Sequence, residues 1–134
     1  MECPFCFQME EERTIVINEH AFAVICAEPL NAGHVLVCPR RHVEQISDLT
    51  ALEAKALFDF VGLMELTLPK LFTDAPIVFI NRGKHGTQSH LHIHILPSKG
   101  GIRDLFSAFE QIPRRVTKPM TELTAMADAL RATL

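Results

Sequence analysis

The chain has 134 residues, of which 48% are hydrophobic and 22% are charged, and its formal net charge is −3 at pH 7. This length and composition predict a single globular domain over residues 1–134. The acidic balance and the lack of an extended Lys/Arg run argue against a nucleic-acid polymer as partner, and the short apolar runs argue against a membrane span. The first residues, MECPFC, carry no basic-then-apolar signal segment, so we expect a cytoplasmic protein with reduced cysteines.

Three short strands are predicted in the first part of the chain. The segments TIVIN, AFAVICA and HVLVCP are β-branched or apolar, and turn residues such as those of EPLNAG separate them. The connections are too short to hold crossover helices, so the strands are expected to pair in antiparallel fashion.

A long helix is predicted over residues 50–68. Thr50 and Glu53 have the spacing of a capping box at its start, and Pro69 marks its end. Between them, apolar residues recur at helical spacing and predict the face that packs on a sheet, namely Leu52, Ala56, Phe60, Leu63 and Met64.

The second half of the chain completes an α+β arrangement. APIVFINRG predicts a strand, GKHGTQ a loop, and HLHIHILP a strand with one buried face, while KPMTELTAMADALRATL predicts a final helix. The segment GGIRDLFSAFEQIPRR is ambiguous between helix and loop. The order βββ–α–ββ–α is typical of an α+β fold with an antiparallel five-stranded sheet, one long helix and a C-terminal helix.

Three histidines occupy alternate positions of the last predicted strand. His90, His92 and His94 then share one face, and the apolar residues between them share the other. Neighbours on one face stand about 6.8 Å apart and the outer pair about 13.6 Å, whereas zinc holds imidazole nitrogens at about 2.0–2.1 Å. All three therefore cannot bind one ion, and we expect them to differ in function. The alternative, an exposed polar face that happens to be rich in histidine, is disfavoured by three histidines in five positions.

Two further groups of residues could carry chemistry. Cys3 and Cys6 form a Cys-x-x-Cys pair, which can be a redox motif, half of a zinc site or two free thiols. No strand precedes the pair, which argues against a redox motif, and any further zinc ligands would have to be histidines. His34 and His42 stand at opposite ends of the strand in GHVLVCPRRH, where each on its own could be structural.

Taken together, these residues resemble the histidine triad (HIT) family of nucleotide hydrolases and transferases. The family signature is His-φ-His-φ-His-φ-φ with φ apolar, and HLHIHIL fits it at every position. The supporting motifs also occur in family order: the Cys-x-x-Cys pair, GHVLVCPRRH, a long helix, and NRG at residues 81–83. The resemblance covers residues 3–98, and residues 99–134 match no motif.

The resemblance implies a HIT-like fold and a covalent mechanism. His92 matches the histidine that attacks the α-phosphorus of a nucleotide conjugate, and water then hydrolyses the nucleotidyl-histidine intermediate. Neutral imidazole suits this role because it is a good nucleophile near pH 7. His94 would contact phosphate oxygens or assist proton transfer to the leaving group, His34 would orient the nucleophile or handle protons, and Asn81 would contact the ribose-phosphate region.

The same resemblance implies a structural zinc ion and a homodimer. In zinc-binding members the four ligands match Cys3, Cys6, His42 and His90, a closed set typical of a structural site. The metal would pin the N-terminal segment against the strand that carries the triad. Homodimers are common in the family, so we expect one here.

The chain departs from the family pattern at two places. Cys26 stands where many members have an aspartate that binds the ribose hydroxyls. The loop before the triad is about two residues shorter than in the family, and there we predict Gln88 and Ser89, in preference to Thr87, as substrate-binding residues.

The expected function is hydrolysis of a nucleoside phosphoramidate or a dinucleoside polyphosphate. Two other classes stay open: a nucleotide-binding module of low activity, and a zinc-stabilised interaction protein. A nucleotidyltransferase is a further option, but the related uridylyltransferases are longer and usually have glutamine at the third triad position. His94 therefore favours hydrolysis.

Overall fold

A computed structural model describes Cys3, Phe5 and residues 11–82 and 89–134. The chain forms two compact units, Met1–Lys99 and Gly100–Leu134. A single domain over residues 1–134 stays a prediction.

The first unit is built on a five-stranded antiparallel sheet. Its strands are β1 (Thr14–Ile17), β2 (Ala21–Ile25), β3 (Val35–Pro39), β4 (Pro76–Phe79) and β5 (Ile93–Pro97). Their order across the sheet is β1-β2-β3-β5-β4, and every neighbouring pair is antiparallel. The predicted α+β fold with a five-stranded antiparallel sheet is thereby confirmed.

One long helix, α1 (Ala51–Thr67), covers one face of this sheet. The predicted capping box is present: the Thr50 side chain accepts the Glu53 N–H, and the Glu53 carboxylate accepts the Thr50 N–H. The predicted core face is wrong at two positions, because Leu52 and Leu63 are 62% and 43% exposed. A short 3-10 turn (Leu68–Lys70) follows the helix. The residues that meet the sheet are Ala56, Leu57, Phe60, Val61 and Met64.

The other face of the sheet carries the histidines. Strand pairing sets Val24, Leu36, His94 and Phe79 in one row across four strands. A second cluster of buried residues lies on this face, formed by Phe22, Val24, Leu36 and Cys38, with Phe5 and Cys26 packed against it. Strand alternation therefore separates the core under α1 from the candidate site.

The second unit contains two helices, α2 (Ile102–Glu110) and α3 (Met120–Arg131). The segment that the sequence left ambiguous is thus mainly helical, and Asp104 accepts the Gly101 N–H at 3.0 Å at its start. An ion pair between Arg114 and Asp104, at 2.6 Å, ties the residues after α2 back to its first turn. Among the described residues, no helix has the length and apolarity needed to cross a membrane.

Candidate active site

His92 lies immediately before β5 and is buried. Its Nδ1 atom is 2.8 Å from the backbone carbonyl oxygen of His90. A carbonyl only accepts hydrogen bonds, so Nδ1 carries the proton and donates it. The ring lone pair of neutral His92 is therefore on Nε2, the arrangement that a nucleophilic imidazole requires.

His34 and His94 form a hydrogen-bonded pair whose proton positions are also fixed by the backbone. The Leu30 N–H donates to Nδ1 of His34 at 3.1 Å, so the His34 proton is on Nε2. That Nε2–H donates to Nδ1 of His94 at 2.9 Å. The proton of neutral His94 is consequently on its own Nε2, which faces away from His34.

Apolar and imidazole rings surround His94. Phe79 of β4 stacks on it with a centroid separation of 4.6 Å and an interplanar angle of 5°, and the His92 ring lies 4.9 Å away. Burial, followed by the repulsion of His92 and His34, lowers the pKa of His94 to about 4. Burial and His92 also lower the pKa of His34. Both rings are therefore neutral near pH 7.

A network of backbone hydrogen bonds holds the loop before β3, residues 26–34. The Cys26 N–H donates to the His34 carbonyl at 2.9 Å, and the His34 N–H donates to the Asn31 carbonyl at 3.2 Å. The Asn31 side-chain amide donates to the Pro97 carbonyl at the end of β5, at 2.9 Å. The two ends of the loop are thus bonded to each other and its middle is bonded to β5, which holds the Leu30 N–H in place against His34.

The residue before His34 has to be glycine. Gly33 has a φ of +86°, which residues with a side chain rarely adopt. A Cβ atom at this position would also lie 2.6 Å from the ring of Phe72. Gly33, in the GH pair of the sequence motif, therefore allows the backbone conformation with which the chain enters β3.

His90 is separated from the other two triad histidines and belongs to a second group. Its Nε2–H donates to the Pro39 carbonyl at 2.7 Å, and its Nδ1 lies 3.5 Å from Sγ of Cys3. One ligand atom each from Cys3, His42 and His90 lies within 4.8 Å of the others. Burial lowers the pKa of His90, so the ring is neutral as a metal ligand must be.

The donor set of this group fits zinc. One thiol and two imidazoles are ligands that zinc prefers, and the hydrogen bond from His90 to a backbone carbonyl is the usual way to orient a ligating imidazole. Cys6, the fourth predicted ligand, lies outside the described residues. Cys38 is fully buried in β3, and burial raises the pKa of its thiol.

The remaining predicted residues lie at the rim of the site or outside the described residues. Asn81 is exposed, two residues after Phe79, and Ser89 is exposed directly before His90. Arg82 donates to the Ser89 carbonyl at 3.4 Å. Gln88 falls outside the described residues, as does Thr87.

Sequence reasoning did not identify the aromatic neighbours of the histidines. Phe79 stacks on His94, and Phe5 lies 5.3 Å from His92 and 5.6 Å from His90 between ring centroids. Strand alternation in APIVFI could have placed Phe79 on the site face. Leu30 acts through its backbone amide, for which a side-chain pattern gives no signal.

Comparisons with known proteins agree on one family. A family model described as the HIT domain matches residues 8–101. A bis(5'-adenosyl)-triphosphatase of Dictyostelium discoideum is 38% identical over 85 residues, which cover 61% of this chain and 57% of that protein. An AP-4-A phosphorylase of Mycobacterium tuberculosis is 32% identical over 104 residues, which cover 70% of this chain and 51% of that protein. The chain thus spans about half the length of these curated relatives.

The fold is also shared with solved structures. The crystal structure of a member of the HIT family of proteins from Bacillus subtilis has a TM-score of 0.74 at 21% identity, and the alignment covers 100% of this chain and 98% of that chain. At this identity the likeness shows the fold alone.

Proposed function

This chain belongs to the HIT domain family, and on that premise we propose that it hydrolyses nucleotide conjugates at the α-phosphate. The proposed substrates are dinucleoside polyphosphates or nucleoside phosphoramidates, and the proposed intermediate is a nucleotidyl-histidine on His92. The names of the relatives from D. discoideum and M. tuberculosis support the first substrate class. Their whole-protein activities are carried over as a proposal, because this chain spans about half of each relative.

The proton arrangement of His92 is the observation that carries this proposal. The hydrogen bond from Nδ1 to the His90 carbonyl fixes the ring and leaves the lone pair on Nε2. Nucleophilic catalysis needs a nitrogen lone pair that is held in one orientation, next to donors that stabilise the phosphoryl oxygens. The Nε2–H of His94 is such a donor, 4.9 Å away between ring centroids.

The other residues have proposed supporting roles. His34 holds His94 in the tautomer that donates from Nε2. Asn81, Gln88 and Ser89 are proposed to contact the ribose and phosphate oxygens. These contacts would orient the α-phosphorus for in-line attack by His92.

Direct assay tests the function. Purified protein is incubated with diadenosine 5',5'''-triphosphate or with adenosine 5'-phosphoramidate, and AMP is followed by chromatography. We expect AMP from at least one substrate and, after a base quench that preserves the phosphorus–nitrogen bond, an adenylyl adduct on His92 by mass spectrometry. Absence of AMP from both substrates contradicts the hydrolase proposal. Tight nucleotide binding by calorimetry without turnover would indicate a low-activity binding module instead.

A phosphorylase is the second candidate function, favoured by the name of the M. tuberculosis relative. The two candidates differ only in the acceptor that attacks the intermediate, which is water in a hydrolase and inorganic phosphate in a phosphorylase. Adding phosphate to the assay separates them. ADP formed in place of AMP would assign the phosphorylase reaction.

We further propose that the chain is of the zinc-binding type, with Cys3, Cys6, His42 and His90 as ligands. The grouping of Cys3, His42 and His90 and the fixed tautomer of His90 support this assignment. The ion would contribute to folding, because the N-terminal segment would be tied to the strands that carry the histidines.

Substitution of Cys3 by serine is expected to remove the metal and destabilise the protein. Elemental analysis should find one zinc ion per chain in the wild type and none in Cys3→Ser. The lost stabilisation is about 4 kcal/mol when free zinc is about 1,000-fold above its dissociation constant, measured as a shift of the thermal midpoint. Cys26→Ser is the matched control, since Cys26 lies outside the ligand group, and it should retain zinc. Metal-free wild-type protein would rule out the site, whereas zinc without any turnover would favour the interaction protein.

A homodimer is also proposed, formed through the outer face of α1. Leu52, Phe58, Leu63 and Leu66 on this helix are 62%, 71%, 43% and 72% exposed, and a Cβ atom at Gly62 would meet no atom within 4 Å. Exposed apolar side chains grouped on one helix are typical of an interface, and the exposed ion pair between Lys55 and Asp59 lies among them. Because Gly62 has no side chain, the backbone of a second helix could pack close to α1 at this position.

Light scattering tests the dimer with one substitution. Phe58→Glu should raise the dimer dissociation constant roughly 30-fold or more, because an exposed aromatic residue in the middle of an interface is a typical hot spot. Ile15→Glu is the control and should leave the dimer intact, because Ile15 lies on the edge strand β1 and not on α1. A wild-type chain that stays monomeric at high concentration would contradict the proposal.

A further inference from the structure

We propose that neutral His94 donates a hydrogen bond to the substrate and does not transfer a proton to the leaving group. The leaving group then departs as an anion, so the enzyme prefers phosphoanhydrides to phosphoramidates. The inference rests on the proposed function, since it concerns the leaving group of that same reaction. It is carried by the hydrogen bonds that run from the backbone of Leu30 through His34 to His94.

The Leu30 N–H determines on which ring nitrogens His34 and His94 can carry protons. To give up a proton and stay neutral, His94 must first be an imidazolium with protons on both nitrogens. Its Nδ1–H would then need Nε2 of His34 as acceptor, which would move the His34 proton to Nδ1. There it would face the Leu30 N–H at 3.1 Å, so two donors would oppose each other in a part-buried contact. An unsatisfied donor pair of this kind is costly.

The loop cannot easily turn the Leu30 amide away. Asn31, the next residue, donates from its side chain to the Pro97 carbonyl at 2.9 Å and accepts the His34 N–H at its own carbonyl. The His34 carbonyl in turn accepts the Cys26 N–H. Asn31 is thus a positioning residue: it anchors the chain next to Leu30, whose N–H orients His34.

The surroundings of His94 favour the neutral ring as well. Among the described residues, the rings in contact with it are Phe79, His92 and His34, and the polar contact of its ring is with Nε2 of His34. No carboxylate of the described residues makes such a contact. Burial among these groups disfavours a positive charge, in agreement with the lowered pKa of His94.

The chemical consequence lies in the first step. Nε2 of His92 forms a bond to the α-phosphorus, the bond from phosphorus to the bridging oxygen breaks, and its electron pair leaves on a phosphate oxygen that is stable as an anion. The Nε2–H of His94 stabilises the non-bridging oxygens during this step. Water then attacks phosphorus and loses a proton to solvent, while the phosphorus–nitrogen bond breaks and its electron pair returns to His92. A phosphoramidate would have to expel an amine, which needs a proton that neutral His94 cannot give.

A leaving-group series separates the two roles of His94. Aryl esters of AMP whose phenols differ in acidity are assayed with the wild type and with His94→Ala. If His94 donates a hydrogen bond to the phosphoryl oxygens, its removal should lower kcat/KM by the same factor, on the order of 10²-fold, for every ester. The wild type should also cleave diadenosine triphosphate on the order of 10²-fold faster than adenosine phosphoramidate. A loss in His94→Ala that grows with the pKa of the leaving phenol would show proton donation and overturn the inference, although the hydrolase would stand.

Side-chain ¹⁵N spectra of the histidines test the proton positions without any turnover. At pH 7, His34 and His94 should both be neutral and protonated on Nε2. Asn31→Ala should give mixed tautomers at His34 and lower kcat/KM roughly 10-fold, whereas Asn18→Ala, in the turn between β1 and β2, should change neither. A His94 imidazolium at pH 7, or a single unchanged His34 tautomer in Asn31→Ala, would contradict the inference even if no substrate is found.

Discussion

Replacing His92 by asparagine is expected to abolish turnover while the fold stays intact, with kcat/KM falling on the order of 10⁴-fold or more. Asparagine can still donate from its side-chain amide to the His90 carbonyl, which His92 contacts at 2.8 Å. It has no nucleophilic nitrogen, so the covalent intermediate cannot form. The loss should therefore appear in turnover and not in the thermal midpoint.

His20→Asn is the matched control for this experiment, because His20 lies in the turn between β1 and β2. Its kcat/KM should stay within about twofold of the wild type, as for a surface position outside the site. His92→Gly serves as a second variant that removes both the nucleophile and the donor. If His92→Asn retained more than roughly a hundredth of the wild-type rate, the covalent mechanism of a nucleophilic histidine would be wrong.

Alternation in the sequence predicted which residues of the triad segment face the core. Leu91, Ile93 and Ile95 belong to the core cluster under α1, as that pattern indicates. The predicted strand is too long, because β5 begins only at Ile93. Before it, the His92 side chain bonds to the His90 carbonyl. The Leu91 N–H bonds to the distant Val43 carbonyl at 2.7 Å, so these contacts take the place of ladder hydrogen bonds.

The separation of His90 from the other two histidines was expected, because strand spacing argued against one ion shared by all three and the family resemblance set His90 apart. Their tautomers were not predictable, because backbone groups set them. The partners are the Leu30 N–H, the His90 carbonyl and the Pro39 carbonyl. No side-chain pattern in the sequence reports where a backbone amide or carbonyl will point. Cys26, which was expected within the strand AFAVICA, lies just after β2, which ends at Ile25.

Helical periodicity placed α1 correctly and misassigned part of its buried face. Leu52 and Leu63 are exposed, while Glu53 is buried. The carboxylate of Glu53 is both the capping-box acceptor and the partner of Arg41, so a charged residue takes a buried position in the first turn of the helix. The spacing of apolar residues cannot predict this, because the partner Arg41 lies outside the helix, in the connection that follows β3.

Loss of the Glu53 carboxylate is expected to be the most destabilising substitution of a polar side chain on α1. Its two oxygens accept hydrogen bonds from Arg41 at 3.0 and 2.7 Å, and one of them also accepts the Thr50 N–H at 2.9 Å. Arg41 is half-exposed, so solvent weakens the pair. We expect Glu53→Gln to lower the free energy of unfolding by about 2–3 kcal/mol at pH 7, measured by urea unfolding.

The pH dependence of this loss identifies its cause. The hydrogen bonds from Arg41, followed by those from Thr50, lower the pKa of Glu53 from 4.5 to about 2. Because the folded-state value lies below the unfolded one, the carboxylate stabilises the fold fully above the unfolded value and loses this contribution as the pH falls from about 5 to about 2. The difference between wild type and Glu53→Gln should therefore shrink over that range. Asp59→Asn, which breaks the exposed pair with Lys55, is the control and should cost under about 0.5 kcal/mol at any pH. A Glu53→Gln effect that is equally small, or that does not change with pH, would show that the ion pair does not fix the first turn of α1.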